Sequence, residues 1–349
     1  MNTNEIRWQS PSNIALIKYW GKRSFQLPMN PSLSISLKQS FTDTRLVYTR
    51  KERANTDLSF EFYFEDRRNL GFECKIRNWL IHVKPHLEFL DDYELKVYSS
   101  NNFPHSSGIA SSASSFSALA LCLCSMEKEV TNDINDFDSF EQKASYLARL
   151  GSGSASRSIY GKFAVWGKSD LIPGSSDEYA IPLTNPVHEN FADLCDSILI
   201  VASSAKKISS TVGHHLMENN PFAEARYGVA KSNLNKMLDV LKSGDEKSFI
   251  RIIENEALSL HAMFLTSSPG YFLCLPGTLS IINKIRSYCE TSGLFLCFTL
   301  DAGPNVHLLY PKRFQTAIHA FIKSELLQYC ENERWIDDEI GGGPYFIGS

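Results

Sequence analysis

The sequence predicts a protein of mixed helices and strands that is long enough for two domains. Its 349 residues exceed the usual size of one domain and leave ample interior for a hydrophobic core. Apolar and polar residues alternate over 93–98 with the period of a half-buried strand. Apolar residues then recur at helical spacing over 113–123. Strand-like and helix-like segments follow one another in the same way along the rest of the chain.

The segment between this strand and this helix is rich in serine and poor in charge. Seven serines lie from Ser106 to Ser117, and no Asp, Glu, Lys or Arg occurs between Lys96 and Glu127. A helix entered through small residues leaves its first amides free to bind an anion, which predicts a phosphate site. A Ser-capped core helix is the structural alternative. No Gly-Lys-Ser/Thr sequence follows Gly108, so the segment is not a Walker A loop.

Composition and charge narrow the class of ligand. The apolar fraction of 43% and the charged fraction of 21% are ordinary for a globular protein. A net charge of −4 argues against a general nucleic-acid binder, which would normally carry a basic surplus. Binding of a small anionic ligand is compatible with this net charge, because a local basic pocket does not require a basic protein.

The spacing of the cysteines, the composition of the N-terminus and the length of the apolar runs predict a cytoplasmic location. The eight cysteines show no CxxC or Cys/His metal spacing, so we expect buried, reduced thiols, as at Cys122, Cys124 and Cys297. The first ten residues hold no apolar signal core, and no apolar run reaches the length of a membrane span. We therefore expect no membrane partner.

A second unusual cluster lies near the N-terminus. Apolar positions at Ile14 and Leu16 and alternation over 32–37 predict two strands joined by a loop. The residues of that loop combine three cations with two aromatic rings and a glycine: Lys18, Tyr19, Trp20, Gly21, Lys22 and Arg23. Composition leaves two interpretations open, a solvated turn and a pocket wall that holds a polyanion.

Two further segments offer charged groups in small-residue surroundings. Residues 151–158 form a second small-residue entrance to a short helix, with Arg157 inside it. That arginine suits a bidentate grip on a carboxylate or phosphate, or it lies on a flexible surface turn. Asp301 follows a predicted strand over 293–300. Its carboxylate either stabilises a tight turn or acts as a base at the end of the strand.

His214 and His215 are adjacent, so they cannot converge on one metal and are predicted to be surface or capping residues.

Periodicity also predicts the remaining elements. Helices are expected over 72–89, 136–150, 221–241, 246–265, 279–291 and 313–329, and strands over 162–166, 197–202 and 306–310. Residues 203–211 form a loop with several hydroxyls and two lysines. The turn-rich stretch 167–186 places a domain boundary near residue 190.

Taken together these segments resemble the GHMP small-molecule kinases, whose phosphate loop reads Pro-x-x-x-Gly-Leu-x-Ser-Ser-Ala. Here the pattern stands at 104–113, with Ile109 in place of Leu. Within that superfamily the chain resembles the diphosphomevalonate decarboxylases. The resemblance rests on five stretches in the family's order: Asn13–Arg23, Asn101–Pro104, Gly151–Ser158, Ser209–Thr211 and Asp301–Asn305.

The resemblance implies a two-domain α+β fold of the GHMP kinase type. Residues 1–190 would form a nucleotide- and substrate-binding domain like domain 2 of ribosomal protein S5. Residues 191–349 would form a ferredoxin-like domain, with the site in the cleft between the two. A homodimer is implied at the level of the family.

The implied reaction uses ATP and Mg2+ on mevalonate 5-diphosphate. The γ-phosphoryl group passes to the C3 hydroxyl, and loss of phosphate and CO2 gives isopentenyl diphosphate. A serine loop, Mg2+ and lysines suit this chemistry, because phosphoryl transfer needs positioning and charge neutralisation. Two alternatives keep the same fold: a decarboxylase of mevalonate 5-phosphate, and a kinase that stops after phosphorylating C3. A non-catalytic metabolite sensor is a third, against which the intact lysines and Asp301 argue.

The resemblance also implies roles for individual residues. Asp301 would accept the proton of the C3 hydroxyl, Lys18 would keep Asp301 ionised, and Arg157 would hold the substrate carboxylate or orient Asp301. The implied substrate contacts are Asn13, Tyr19, Lys22, Ser152, Ser154 and Ser210. The implied nucleotide contacts are Ser99, Asn101, Ser106, Ser107, Gly108, Ile109, Ala110, Ser111 and Ser112, with Ser112 also near Mg2+.

The chain departs from the family's usual pattern at two places near the implied site. His105-Ser106-Ser107 stands where Thr-Ala-Ala is commoner, and Ser156 stands where Cys is frequent. Both changes keep small or polar residues there, and they bear on nucleotide affinity and fine geometry.

Overall fold

The computed structural model describes residues 3–53, 57–104, 109–131, 137–203 and 210–348, with the side chains of residues 210 and 211 left aside. Within these ranges, eight strands form one sheet and four form another. The strands are β1 (Thr3–Ile17), β2 (Ser32–Arg50), β3 (Ser59–Phe64), β4 (Arg67–Arg68), β5 (Tyr93–Asn101), β6 (Phe163–Trp166), β7 (Ala180–Pro182), β8 (Leu194–Leu199), β9 (Cys297–Thr299), β10 (Val306–Pro311), β11 (Trp335–Glu339) and β12 (Tyr345–Gly348).

Helices lie between and against these strands. They are α1 (Leu70–Val83), α2 (Ser111–Thr131), α3 (Phe140–Gly151), α4 (Ser210–His215), α5 (Ala223–Ser243), α6 (Glu246–Leu265), α7 (Pro276–Ser292) and α8 (Gln315–Phe321). A 3-10 helix, Gly153–Ile159, follows α3 directly and carries Arg157. The mixture of helices and sheets confirms the predicted α+β class.

The larger sheet has the order β12-β1-β2-β5-β3-β4, with β6 on β2 and β7 on β6. Strands β1 and β2 are antiparallel, and Ile14 lies opposite Ile35. The smaller sheet has the order β11-β8-β10-β9 and is antiparallel throughout. The two strands predicted at the N-terminus are confirmed, and the loop between them begins at Lys18, where β1 ends.

Helix α2 explains part of the serine-rich stretch. Ser114 Oγ lies 2.6 Å from Thr42 Oγ1, and Ser117 Oγ lies 2.5 Å from Ser10 Oγ, both in buried positions. These hydroxyls satisfy one another between the helix and the sheet, where an unpaired polar group would be costly. The serines beyond the first turn of α2 therefore hold the helix on the sheet, as the core-helix alternative predicts.

Some predicted boundaries are wrong, for identifiable reasons. The helix expected over 72–89 ends at Val83, because Pro85 cannot continue the backbone ladder. The helix expected from residue 136 begins at Phe140, since the Ser139 side chain accepts a hydrogen bond from the Gln142 amide. The strand expected over 197–202 is β8, which starts three residues earlier.

The C-terminal end differs most from expectation. The helix predicted over 313–329 is regular only through α8 and continues as a wider turn at Ile322–Leu326. Strands β11 and β12 were not predicted. Strand β12 returns to pair with β1, so the last strand completes the sheet begun by the first.

One hydrophobic core reaches across both halves of the chain. Leu16 and Ile35 belong to the same buried cluster as Phe191, Leu234 and Phe249. This cluster fixes the β1–β2 loop relative to the C-terminal half by burying shared apolar surface. The domain limits at residue 190 stay a prediction.

The predicted buried thiols are confirmed. All eight cysteines are free, and Cys122, Cys124 and Cys297 are buried. No helix in the described ranges combines the length and the apolar character that crossing a bilayer requires.

Candidate active site

A cavity of about 950 Å3 lies where the β1–β2 loop, the start of α2, the 3-10 helix and the turn after β9 meet. Twelve of the residues predicted for the site line it: Asn13, Lys18, Tyr19, Lys22, Ile109, Ala110, Ser111, Ser112, Ser152, Ser154, Arg157 and Asp301. Tertiary folding thus brings together groups that are spread over most of the sequence.

An ion pair between Lys18 and Asp301 occupies one wall of the cavity. Lys18 Nζ lies 2.9 Å from Asp301 Oδ1, although the two residues are 283 positions apart. The lysine side chain is 2% exposed and the aspartate side chain 24% exposed, so the carboxylate reaches the cavity while its cation stays behind it. The Asp301 carbonyl also accepts a hydrogen bond from the Gly303 amide, so Asp301 serves the turn with its main chain and the cavity with its side chain.

Arg157 is buried at the cavity, where it donates to serine hydroxyls. Its guanidinium donates hydrogen bonds to Ser34 Oγ at 3.0 Å and Ser32 Oγ at 2.7 Å. No described carboxylate forms an ion pair with it. Burial lowers the pKa of Arg157 to about 10, and the charge of Asp301 opposes that shift. A buried cation held only by neutral groups makes a strong site for an anionic ligand.

Asn13 links this arginine to the 3-10 helix. Its amide nitrogen donates to Ser154 O at 3.1 Å and to Ser158 Oγ at 2.7 Å. Its amide oxygen lies 3.5 Å from Arg157 Nη2. Asn13 therefore orients the guanidinium from β1, while Arg157 itself stands on the 3-10 helix.

The Tyr19 hydroxyl is buried and has no hydrogen-bond partner among the described residues. Its ring meets Trp166 edge-on at a centroid distance of 4.6 Å. Gly153 leaves room for both rings, because a Cβ there would lie 2.6 Å from Trp166 and 2.9 Å from Tyr19. Burial raises the pKa of Tyr19 above its usual range, against the charge of Arg157, so the phenol remains a proton donor.

The loop that carries Lys22 turns at Gly21, and His214 holds that turn. Gly21 has φ +87°, and a side chain there would collide with the Tyr227 hydroxyl. The Gly21 amide donates to His214 Nδ1 at 3.0 Å, while the imidazole stacks on Trp20 at 4.5 Å. Burial lowers the pKa of His214 to about 3, with Lys22 adding to the effect, so this imidazole is neutral. The prediction of a surface or capping residue is therefore wrong for His214, which is buried and bonds the amide of a loop residue.

His215 behaves differently from its neighbour. Its side chain is 60% exposed and lies 2.8 Å from Glu218 Oε1. The surface prediction is right for this residue, because adjacent helical side chains point in different directions.

Three serine hydroxyls form a row at the first turn of α2. Ser112 Oγ lies 3.2 Å from Ser152 Oγ, which lies 3.3 Å from Ser154 Oγ. Ile109, Ala110 and Ser111 line the cavity beside them. The start of a 21-residue helix therefore faces the cavity with hydroxyl groups around it, an arrangement that favours phosphate.

Lys22 adds a half-buried cation at the same cavity. Its ammonium donates to Gln26 Oε1 at 3.1 Å. Burial lowers the pKa of Lys22, and Glu218 opposes this. Among the described residues Lys22 forms no ion pair, so its charge is available to an anion in the cavity.

Several predicted contacts lie elsewhere or outside the described residues. Ser99 and Asn101 lie on β5, bonded to Thr44 and Thr42, and neither lines the cavity. Ser210 begins α4, and its side chain is not described. Ser106, Ser107 and Gly108 fall outside the described residues. The roles assigned to all of these residues stay predictions.

The two departures from the family pattern differ in position. Ser156 is buried, and its hydroxyl donates to Gly153 O at 2.7 Å within the 3-10 helix. It does not line the cavity, so the change from Cys alters a turn and leaves the cavity wall alone. The 105–107 segment lies outside the described residues.

Sequence reasoning missed a group of cavity residues on α1. Lys75, Asn78 and His82 lie three and four residues apart, so one face of the helix reaches the cavity beside Trp79. The only sequence signal for these cavity residues is that they are polar and lie on one face of the helix. A solvent-exposed helix face has the same pattern, so the sequence alone does not distinguish the two.

No group of three His, Cys, Asp or Glu side chains in the described part of the chain is arranged to hold a metal ion.

Comparisons with known proteins identify the family of the chain. Residues 10–180 match the model of the diphosphomevalonate decarboxylase-like N-terminal domain, and residues 197–339 match that of the mevalonate 5-diphosphate decarboxylase C-terminal domain. The diphosphomevalonate decarboxylase of Ganoderma lucidum is 32% identical over 335 residues, which cover 89% of this chain and 80% of that protein.

Solved structures agree along the whole length. The mevalonate diphosphate decarboxylase of Staphylococcus aureus is 30% identical with a TM-score of 0.83, and 99% of each chain is covered. A relative solved in complex with MVAPP, AMPPCP and magnesium is 28% identical with a TM-score of 0.82, and 100% of each chain is covered. The fold is that of the GHMP kinase class. Within that class, the chain belongs to the diphosphomevalonate decarboxylase family.

Proposed function

We propose that this chain catalyses the ATP-dependent decarboxylation of mevalonate 5-diphosphate to isopentenyl diphosphate in the mevalonate pathway. One observation carries the proposal: the cavity is lined by the Lys18–Asp301 ion pair and by Arg157, which forms no ion pair with a described carboxylate. A carboxylate base and a second, uncommitted cation are what phosphorylation followed by loss of CO2 requires. Membership in the family supports the same reaction.

The first step places the C3 hydroxyl beside Asp301. The Asp301 carboxylate accepts the hydroxyl proton as the oxygen attacks the γ-phosphorus of ATP, and ADP leaves. Lys18 stabilises the negative charge of Asp301 before transfer. The amides at the start of α2 and the Ser112, Ser152 and Ser154 hydroxyls hold phosphate oxygens through fixed donors.

The second step breaks two bonds of the phosphorylated substrate. The C3–O bond breaks and phosphate leaves with its electron pair. The bond from C2 to the carboxylate carbon then supplies the electrons of the new double bond, and CO2 leaves. Arg157 orients the carboxylate through its planar guanidinium, which Ser32, Ser34 and Asn13 hold in place.

The Ser112 hydroxyl would contribute to a Mg2+ site at this cavity. The exposed Ser112 hydroxyl lies 3.2 Å from that of Ser152, and hydroxyl oxygen is a hard donor that suits this ion. When bound, Mg2+ neutralises charge on the transferring phosphates. A relative solved with AMPPCP and magnesium supports this assignment. The homodimer and the cytoplasmic location stay predictions.

The decisive experiment supplies ATP and Mg2+ with mevalonate, mevalonate 5-phosphate or mevalonate 5-diphosphate and measures ADP and CO2 together. We expect equal amounts of ADP and CO2 with the diphosphate ester and slower turnover with the other two. ADP without CO2 would contradict the decarboxylation. Faster turnover of the monophosphate ester would reassign the substrate.

Tyr19→Phe is expected to weaken binding of the diphosphate substrate without slowing its chemistry. The buried Tyr19 hydroxyl has no described partner, so it is free to donate to a phosphate oxygen. A hydrogen bond to a charged group contributes about 1.5–3 kcal/mol, so KM should rise roughly 10- to 100-fold with kcat within about threefold. Steady-state kinetics measure this change. Tyr63→Phe, on a hydroxyl that bonds Glu61 away from the cavity, is the matched control. An unchanged KM for Tyr19→Phe would exclude the contact.

A further inference from the structure

We propose that helix α6 holds both members of the Lys18–Asp301 pair by their main chains, with Glu256 and His261 as positioning residues. The inference rests on the proposed function, because the alignment matters only if the pair reacts. Neither residue lines the cavity, so each acts through the residue it holds.

Glu256 holds the Lys18 end. Its Oε2 accepts a hydrogen bond from the Lys18 amide at 2.9 Å, at the point where β1 stops. The carboxylate is fully buried and is itself fixed by Arg226 Nη2 at 2.7 Å and by Asn233 Nδ2 at 2.7 Å. On the other side, Asn30 donates to the Lys18 carbonyl at 3.0 Å. Both main-chain polar groups of Lys18 are therefore fixed, which sets the direction of its side chain.

His261 holds the Asp301 end. Its Nε2 lies 3.0 Å from the Asp301 carbonyl oxygen, and the side chain is 6% exposed. Its Nδ1 lies 3.2 Å from Cys274 Sγ. A carbonyl oxygen only accepts hydrogen bonds, so Nε2 carries the proton and Nδ1 receives the thiol hydrogen. The cysteine thus favours the tautomer that binds the Asp301 main chain.

Because Glu256 and His261 lie on one helix, they fix Lys18 and Asp301 relative to each other. Glu256 and His261 are five residues apart, about 7.5 Å along the axis of a rigid helix. Lys18 and Asp301 come from loops 283 residues apart and meet through one contact of 2.9 Å. A shared rigid element is the simplest way to keep such a contact in register, and a misplacement of about 1 Å can slow a reaction about 100-fold.

The test compares steady-state kinetics and Tm of the full chain and its variants. His261→Leu removes the donor, while His261→Gln keeps an N–H near the position of Nε2. We expect kcat of H261L to fall roughly 10- to 100-fold with KM for both substrates within about threefold. H261Q should recover kcat to within about threefold of wild type. A residue that only stabilised the fold would change Tm without this split between kcat and KM or this rescue.

The contact between Glu256 and the Lys18 amide is tested with the double variant Glu256→Met/Arg226→Met, which removes the carboxylate oxygen that accepts this hydrogen bond and keeps most of the length of both side chains. Changing both partners avoids leaving a buried arginine unpaired, which would threaten folding. We expect its kcat to fall about tenfold or more with little change in KM. Glu254→Met is the matched control, because Glu254 lies on the same helix and pairs with the half-exposed Arg286. E254M should match the wild-type kcat.

Either of two results would overturn the proposal for His261: an H261L kcat within about twofold of wild type, or an H261Q no better than H261L. His261→Met, which also lacks a donor, replaces H261L if the latter does not fold. A wild-type kcat in E256M/R226M would overturn the proposal for Glu256. If the wild-type chain forms ADP without CO2, decarboxylation is what fails, and the same variants are then judged on ADP formation.

Discussion

Asp301→Asn is expected to abolish turnover while ATP still binds. In the wild-type chain Lys18 Nζ lies 2.9 Å from Asp301 Oδ1. Asparagine keeps the shape of the side chain and an oxygen that can accept this hydrogen bond, but it cannot accept the proton of the C3 hydroxyl. Loss of a general base costs about 10²- to 10⁴-fold, so kcat should fall by at least that range. Coupled measurement of ADP and CO2 gives the rate, and equilibrium binding of ATP gives the affinity.

The control for Asp301→Asn is another carboxylate-to-amide change in an ion pair. Glu325→Gln removes the partner of Lys284 at an exposed pair of 2.5 Å that does not line the cavity. Exposed pairs contribute about 0–1 kcal/mol, so this variant should match wild type in rate and nearly in Tm. Turnover of Asp301→Asn within about tenfold of wild type, under 1.4 kcal/mol of barrier, would remove Asp301 from the mechanism.

Arg157→Gln is expected to lose activity without losing stability. Losing one partner of a buried charge pair costs about 2–5 kcal/mol, so kcat/KM should fall about 10²- to 10³-fold once the substrate carboxylate lacks its cation. The kcat/KM of Arg157→Lys should lie between those of wild type and Arg157→Gln, because lysine keeps the charge but cannot reach Ser32 and Ser34 together. The measurements are kcat/KM for mevalonate 5-diphosphate and Tm at neutral pH.

The stability half of this prediction follows from linkage. Burial lowers the pKa of Arg157 from 12.5 to about 10, against the charge of Asp301. Below pH 10 the Arg157 side chain is charged in both the folded and the unfolded state. The folded state therefore carries the full free-energy cost of burying that charge, roughly 3 kcal/mol. The penalty is relieved only as pH rises above 10. A neutral residue removes this penalty at pH 7, which offsets the lost hydrogen bonds to Ser32 and Ser34, so Tm should stay within about 4 °C of wild type.

The control for Arg157→Gln is Arg313→Gln, which breaks an exposed pair with Glu246 outside the cavity. It should keep wild-type kinetics. Two results would contradict the prediction for Arg157: more than a tenth of wild-type kcat/KM, or a Tm lowered by more than about 4 °C.

The local elements around the site could be predicted well because their signals are short-range. The strand that becomes β5, the helix that becomes α2 and the loop after β1 each show a period or a composition within a dozen residues. Boundaries failed where a single residue decided them, as at Pro85 and Ser139. Strands β11 and β12 failed because their stability comes from partners far away in the sequence.

The identity of the reacting residues was accessible from motifs, whereas their arrangement was not. Lys18, Arg157 and Asp301 each had two interpretations when considered singly, and only the shared cavity distinguishes a placed group from a solvated one. His214 shows the limit most clearly. Its sequence neighbour is exposed, yet it is buried between aromatic rings that come from the β1–β2 loop.

The sequence by itself determined the class of the protein, the ordinary charge balance and the residue types available for phosphate and carboxylate binding. These depend on local chemistry and on motif order. The tertiary structure alone decided that Arg157 is buried and forms no ion pair within the described part of the chain. It also decided that Lys18 contacts Asp301 and that α6 bonds the main chains of both residues. Such contacts join residues hundreds of positions apart. They are set by burial of a shared core, which no local pattern encodes.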